Sequence, residues 1–346
     1  MSSGSAGHVT RSEIVPESET PPRTRVRTLL RTADGVPIDA VYEADAAVYD
    51  ASGARPGAFA GASAELTAGS PAGSATGASA DLVFVIAHGF TGDLDKPHVR
   101  RVAEVFARYG AVVTFSFRGH GASGGRSTVG DREVFDLAAA VAWARGFGHA
   151  RVTTVGFSMG GSVVLRHAAL YGAQSASRAR EPERAAHAPE GAAHGPQEGA
   201  SAPGGLAGRA EARTDAVVSV SAPARWYYRG TAPMRRLHWL VTRPEGRLLG
   251  RYGLRTRIHH RDWDPVPLSP VEAVPRIAPT PLLIVHGDRD GYFPLDHPRM
   301  LADAAGDHGE LWLEPGMGHA EHAATDDLLH RIAHWAALAD RTGGLA

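Results

Sequence analysis

The chain contains no cysteine, which excludes disulfides, thiolate metal sites and a cysteine nucleophile together. Lysine is nearly absent as well: Lys96 is the only one, and the other basic side chains are arginines. With 36 basic and 37 acidic residues the formal net charge is -1, so no overall field draws the chain toward nucleic acid or a membrane surface. No run of about 18 apolar residues occurs, so stable membrane insertion is not expected. The opening MSSGSAGHVTRSEIVPESETPPRTR lacks the apolar segment of a secretory signal, which makes a cytoplasmic location the expectation. What is present suffices for a large core: 346 residues, 43% of them hydrophobic. The abundance of Ala, Gly and Arg reads as nucleotide-composition bias.

Three stretches have little to bury. Residues 1–23 are polar, aperiodic and proline-bearing, the pattern of a disordered lead-in. Residues 45–80 and 174–213 are low-complexity insertions in a domain that otherwise spans 24–346. His187 and His194 stand isolated in the second insertion and suggest no metal site.

Elsewhere strand and helix signals alternate. The runs 25–31 and 36–42 flank Asp34-Gly35, a hairpin turn signal. Residues 82–87 form an unbroken apolar run, as in strands covered on both faces. Val99, Val102, Phe106 and Tyr109 then mark one helix face, with Gly110 as its stop. After the strand 111–117, Asp131 is placed to cap a helix whose inward face carries Val134, Leu137, Ala138 and Val141. Further strands are expected at 216–220, 281–285 and 310–313, and Leu328, Ile332 and Trp335 mark a closing helix. This alternation predicts a parallel α/β sheet.

The chemistry centres on residues 151–170, RVTTVGFSMGGSVVLRHAAL. An apolar, β-branched strand meets GFSMG and continues as a helix, with Gly156 and Gly160 two positions either side of Ser158. A serine on such a sharp turn must adopt a strained backbone, and glycines at those positions let strand and helix approach. The Met159 amide then falls at a helix N-terminus, where unpaired N–H groups favour a developing negative oxygen. A serine hydroxyl needs a base, and the base needs an orienting group. In an open parallel sheet both belong on loops after later strands. Residues 286–294, HGDRDGYFP, supply Asp288 and Asp290, and residues 314–319, EPGMGH, supply His319.

Between these loops and the serine turn, residues 221–275 break the strand rhythm with aromatics and arginines and are positioned to act as a lid. Trp226, Tyr227 and Trp239 are candidates for a substrate pocket, or for the small core of the lid itself. His259, His260, Asp262 and Asp264 resemble a ligand cluster in composition only, so no metal is implied.

HGF at 88–90, FRGHGASGG at 117–125, GFSMGG at 156–161, HGDRDGYFP at 286–294 and GMGH at 316–319 together resemble the motif set of the α/β-hydrolase superfamily. The likeness is greatest to the branch of monoacylglycerol lipases, esterases and serine aminopeptidase-like hydrolases. The resemblance implies a mostly parallel sheet of about eight strands flanked by helices, with a small helical lid. It implies Ser158 as nucleophile, His319 as general base and acid, and Asp290 in preference to Asp288 as orienting carboxylate. The backbone amides of Phe90 and Met159 would form the oxyanion hole, while His88, His120, His286 and His322 are structural or rim residues. Ser116 departs from the branch, which usually carries Asp there. The implied activity is cofactor-free hydrolysis of a small-molecule acyl ester. A peptidase, amidase or thioesterase, or a non-catalytic binding module, remains open, as does oligomeric state.

Overall fold

Eight strands pair into one sheet: β1 (Arg23–Arg31), β2 (Pro37–Asp45), β3 (Ser79–Ala87), β4 (Gly110–Phe115), β5 (Arg151–Phe157), β6 (Ala216–Val220), β7 (Leu282–Gly287) and β8 (Gly309–Glu314). Their spatial order is β1-β2-β4-β3-β5-β6-β7-β8. The first two form the antiparallel hairpin expected at Asp34-Gly35, and β2 also pairs antiparallel with β4. All remaining pairs are parallel. This computed structural model describes residues 23–45, 79–172 and 210–339. The expected lead-in, nearly all of both insertions, His187 and His194 fall outside the described residues. At their edges the boundaries move: Arg23 and Asp45 are strand residues, and Ala212 is buried.

The helices among the described residues are α1 (Pro97–Phe106), α2 (Glu133–Gly146), α3 (Met159–Tyr171), α4 (Ala232–Thr242), α5 (Pro244–Gly253), α6 (Pro270–Ala273), α7 (Asp296–Ala305), α8 (Ala320–Ala323) and α9 (Asp326–Leu338). Because strand side chains alternate, β3 serves two cores at once. Val83, Val85 and Ala87 join Leu137 and Val141 of α2, Val163 and Leu165 of α3 and Leu301 of α7. Leu82, Phe84 and Ile86 join Val102 and Phe106 of α1 and Leu329 and Ile332 of α9 on the opposite face. Double coverage is why the strand reads as a continuous apolar run, and because β3 to β8 run parallel their carboxyl ends share one edge.

Two expectations about helix ends change. The first helix stops at Phe106, and Gly110 opens β4 instead, where a Cβ would press within 2.5 Å of the Leu82 carbonyl oxygen. Asp131 does not cap α2, whose N-cap is Arg132 without a side-chain bond. The donors of the preceding loop converge on buried Glu133. Its carboxylate accepts the hydroxyls of Ser127 and Thr128 and the amides of Thr128, Val129 and Gly130. These five donors tie the loop before α2 to the helix start, while the Asp131 carboxylate lies 3.4 Å from Arg166 Nη2.

Candidate active site

The serine turn is as tight as its glycines require. Ser158 has φ 52° and ψ -113°, a left-handed backbone rarely adopted by residues with a side chain. A Cβ on Gly156 would overlap the Gly160 carbonyl, and one on Gly160 would overlap that of Ala87. The Ser158 amide donates to Val220 O at 2.8 Å, anchoring the turn to β6. Met159 begins α3, so its amide is among the unpaired N–H groups of that helix start.

Asp290 and His319 come from the loops after β7 and β8, and backbone pairing joins those loops. Asp288 N–H donates to Glu314 O (3.1 Å) and Arg289 N–H to Met317 O (3.0 Å). The Asp288 carboxylate accepts Gly316 N–H at 2.6 Å and is exposed, so it pins the histidine loop rather than the imidazole. Asp290 has the other position. Its Oδ2 lies 2.8 Å from His319 Nδ1, while Oδ1 accepts the amides of Tyr292 (2.7 Å) and Phe293 (3.1 Å). His319 Nε2 lies 2.9 Å from Ser158 Oγ. Three side chains separated by 161 and 29 positions thus form one hydrogen-bonded chain. Burial pushes the Asp290 carboxyl upward, but the hydrogen bond and charge of His319, with the Phe293 amide, outweigh it and hold it below 3.8. An ionised Asp290 fixes hydrogen on Nδ1 and leaves Nε2 free to accept from serine.

The neighbouring histidines are wired differently. His88 is buried and pushed well below its ordinary pKa by desolvation and then by His120. As a neutral ring, its Nδ1–H donates to Gly89 O (2.7 Å) and its Nε2 accepts Phe117 N–H (3.0 Å). His120 donates to Arg118 O (3.0 Å) and sits 3.4 Å from the Thr91 amide. These rings tie the loop 88–92 to the loop after β4. His286 is buried and bonds Phe293 O at 2.8 Å. Ser116 also stitches this edge, its Oγ accepting Leu94 N–H at 3.1 Å.

A cavity of about 470 Å³ opens beside Ser158, with Phe90 and Met159 in its wall. The far side comes from the region of α4 and α5: Met234, Leu237, His238 and Val241 face it at helical spacing. Trp226 and Tyr227 line it as expected, and both pack against Trp263, so they serve the segment's own core as well. Trp239 is a correction. It is not in the cavity wall and is 47% exposed, because it lies off the α4 stripe that faces inward. The end of the 221–275 segment also departs from a lid: Ala273 and Val274 belong to the main core. Several arginines there are structural, such as Arg247 on Val241 O and Thr242 O and Arg257 on Ser123 O.

Two further side chains reach the site, Tyr292 from within the motif at 286–294 and Glu321 from outside every motif. Tyr292 stacks on the His319 ring with centroids 4.2 Å apart and 25° between planes. Glu321, 3% exposed, accepts the Gly89 amide at 3.0 Å and so holds the turn before Phe90. Neither follows from periodicity, since both act across loops that meet only in the folded chain.

A family profile for the alpha/beta hydrolase family matches residues 82–332, and the chain belongs to that family. Among solved structures it is similar to the Pyrococcus furiosus esterase Pf2001, with 17% identity over 89% of this chain and 90% of that one and a TM-score of 0.54. It is also similar to the alpha/beta hydrolase GrgF from Penicillium sp. sh18, with 15% identity over 92% and 99% of the two chains and a TM-score of 0.54. At such identities these likenesses concern the fold. Among curated protein sequences none matches. The chain is thus a hydrolase by family, and no helix among its described residues is long and apolar enough to cross a membrane.

Proposed function

We propose that this hydrolase cleaves carboxylic esters of small molecules through an acyl-enzyme on Ser158, as a member of the lipase and esterase branch. The observation that carries this reading is the unbroken relay from Ser158 Oγ to His319 Nε2 (2.9 Å) and from His319 Nδ1 to Asp290 Oδ2 (2.8 Å). His319 takes the hydroxyl proton as Oγ attacks the substrate carbonyl carbon, and the carbonyl electron pair moves onto oxygen. The Met159 amide at the start of α3 and the Phe90 amide receive that oxyanion, each worth about 3 kcal/mol. Collapse expels the alcohol, which takes its proton from His319, and water repeats the sequence to release the acid. Asp290 stays ionised throughout and stabilises the imidazolium. No step calls for a cofactor.

The acyl group belongs in the cavity of about 470 Å³, whose apolar wall of Leu237, Val241, Trp263 and Phe293 suits a hydrocarbon or aromatic acyl chain. The segment around α4 and α5 acts as the lid over it. The test is p-nitrophenyl ester turnover by Ser158→Ala. Activity should fall by about 10⁴ or more with the fold intact, and turnover near the unmodified rate would remove Ser158 as nucleophile.

A further inference from the structure

A second cavity, of about 250 Å³, shares Phe90 with the first but not Ser158. His98 from the start of α1, and Glu321 and His322 from α8, stand in its wall. One donor atom from each lies within 4.8 Å of the others. The two rings pack with centroids 3.8 Å apart, tilted by 36°. His98 Nε2 is buried without a hydrogen-bond partner and is 3.8 Å from Glu321 Oε1, too far for a bond. A buried imidazole nitrogen without a hydrogen-bond partner thus faces a buried carboxylate across 3.8 Å, and leaving such a nitrogen unbonded is costly.

We propose that His98, Glu321 and His322 bind a divalent transition-metal ion of the Zn²⁺ class. Two imidazole nitrogens and one carboxylate oxygen form a donor set suited to such ions, whereas Ca²⁺ and Mg²⁺ require mostly oxygen. Lys96 and Arg255 line the same cavity, so simple charge attraction is weak and the binding must come from nitrogen ligation. Bond lengths of about 2.0–2.2 Å require the donor atoms to draw together, which the exposed His322 can do by side-chain rotation. The remaining position faces the cavity and takes water.

Glu321 is also the acceptor for the Gly89 amide. An ion on this carboxylate therefore braces the turn that leads into Phe90. That consequence rests on the oxyanion role proposed above; the site itself does not.

The test is Zn²⁺ titration calorimetry and thermal unfolding of the untagged full chain, beside His98→Gln/His322→Gln and a His259→Gln/His260→Gln control at the exposed pair. The unmodified chain and the control should each bind one more equivalent of Zn²⁺ than the His98/His322 variant, and saturating Zn²⁺ should raise their Tm by several degrees but not that of the variant. The variant's metal-free Tm and circular dichroism establish that it is folded. Equal stoichiometry and affinity in all three chains, or loss of the tight site in the control, would overturn the proposal. Both readouts are independent of ester turnover, so this failure is distinguishable from failure of the serine mechanism.

Discussion

Ser158, Asp290 and His319 stand on loops held by backbone from several sides, whereas α5, in the segment beyond the cavity, leaves Leu248, Leu249 and Tyr252 more than half exposed. At the sheet edge a single added methyl group would overlap backbone at Gly156, Gly160 or Gly287. In α4 and α5 of the covering segment only Met234 and Leu240 are buried apolar side chains. The contrast separates two tasks. Chemistry needs atoms fixed within fractions of an ångström, while substrate choice tolerates a looser wall that can adapt or open. Local stability should follow the same division, lowest where few apolar contacts are buried.

The comparison can be broken first at the relay. Asp290→Asn leaves the shape and removes the charge that fixes the His319 tautomer, so kcat should fall by about 10⁴. The same substitution tests a linkage. Because the folded pKa of Asp290 lies below its ordinary 3.8, its contribution to stability is complete above that value and is lost as pH falls through the lowered folded pKa. Acid unfolding followed by circular dichroism should therefore lose part of its pH dependence below 3.8 in the variant.

Glu133→Gln sharpens the contrast from the structural side. It places an NH₂ group among five donors and should cost about 2–4 kcal/mol, read as a lowered Tm. In the looser segment effects should be smaller. Leu237→Ala should reduce kcat/KM for long-chain p-nitrophenyl esters by about fivefold and leave acetate turnover nearly unchanged. Leu248→Ser should shift stability by no more than about 0.5 kcal/mol, since that side chain is 58% exposed.

The division also explains what could be read from the chain. Buried strands announce themselves because both faces need apolar side chains, so 82–87 and 216–220 stand out. The serine turn is legible because its geometry tolerates only glycine at 156 and 160. Asp288 and Asp290 look alike in sequence; what separates them is that the Gly316 amide reaches one and His319 the other. Trp239 was indistinguishable from Trp226 because helix phase relative to the cavity depends on how α4 docks. Glu321 and Tyr292 stayed hidden because their partners, Gly89 and His319, lie on loops that meet only in space. Asp131 has the residue type of a cap, but its carboxylate lies beside Arg166, a partner from another helix that local sequence does not show.

The most direct measurement of the central claim is peptide mapping by mass spectrometry after reaction with a fluorophosphonate. The account predicts one adduct, on the peptide containing Ser158, forming rapidly in the unmodified chain and hardly at all in His319→Ala. An adduct on another residue, or equal labelling of Ser158 without His319, would contradict it.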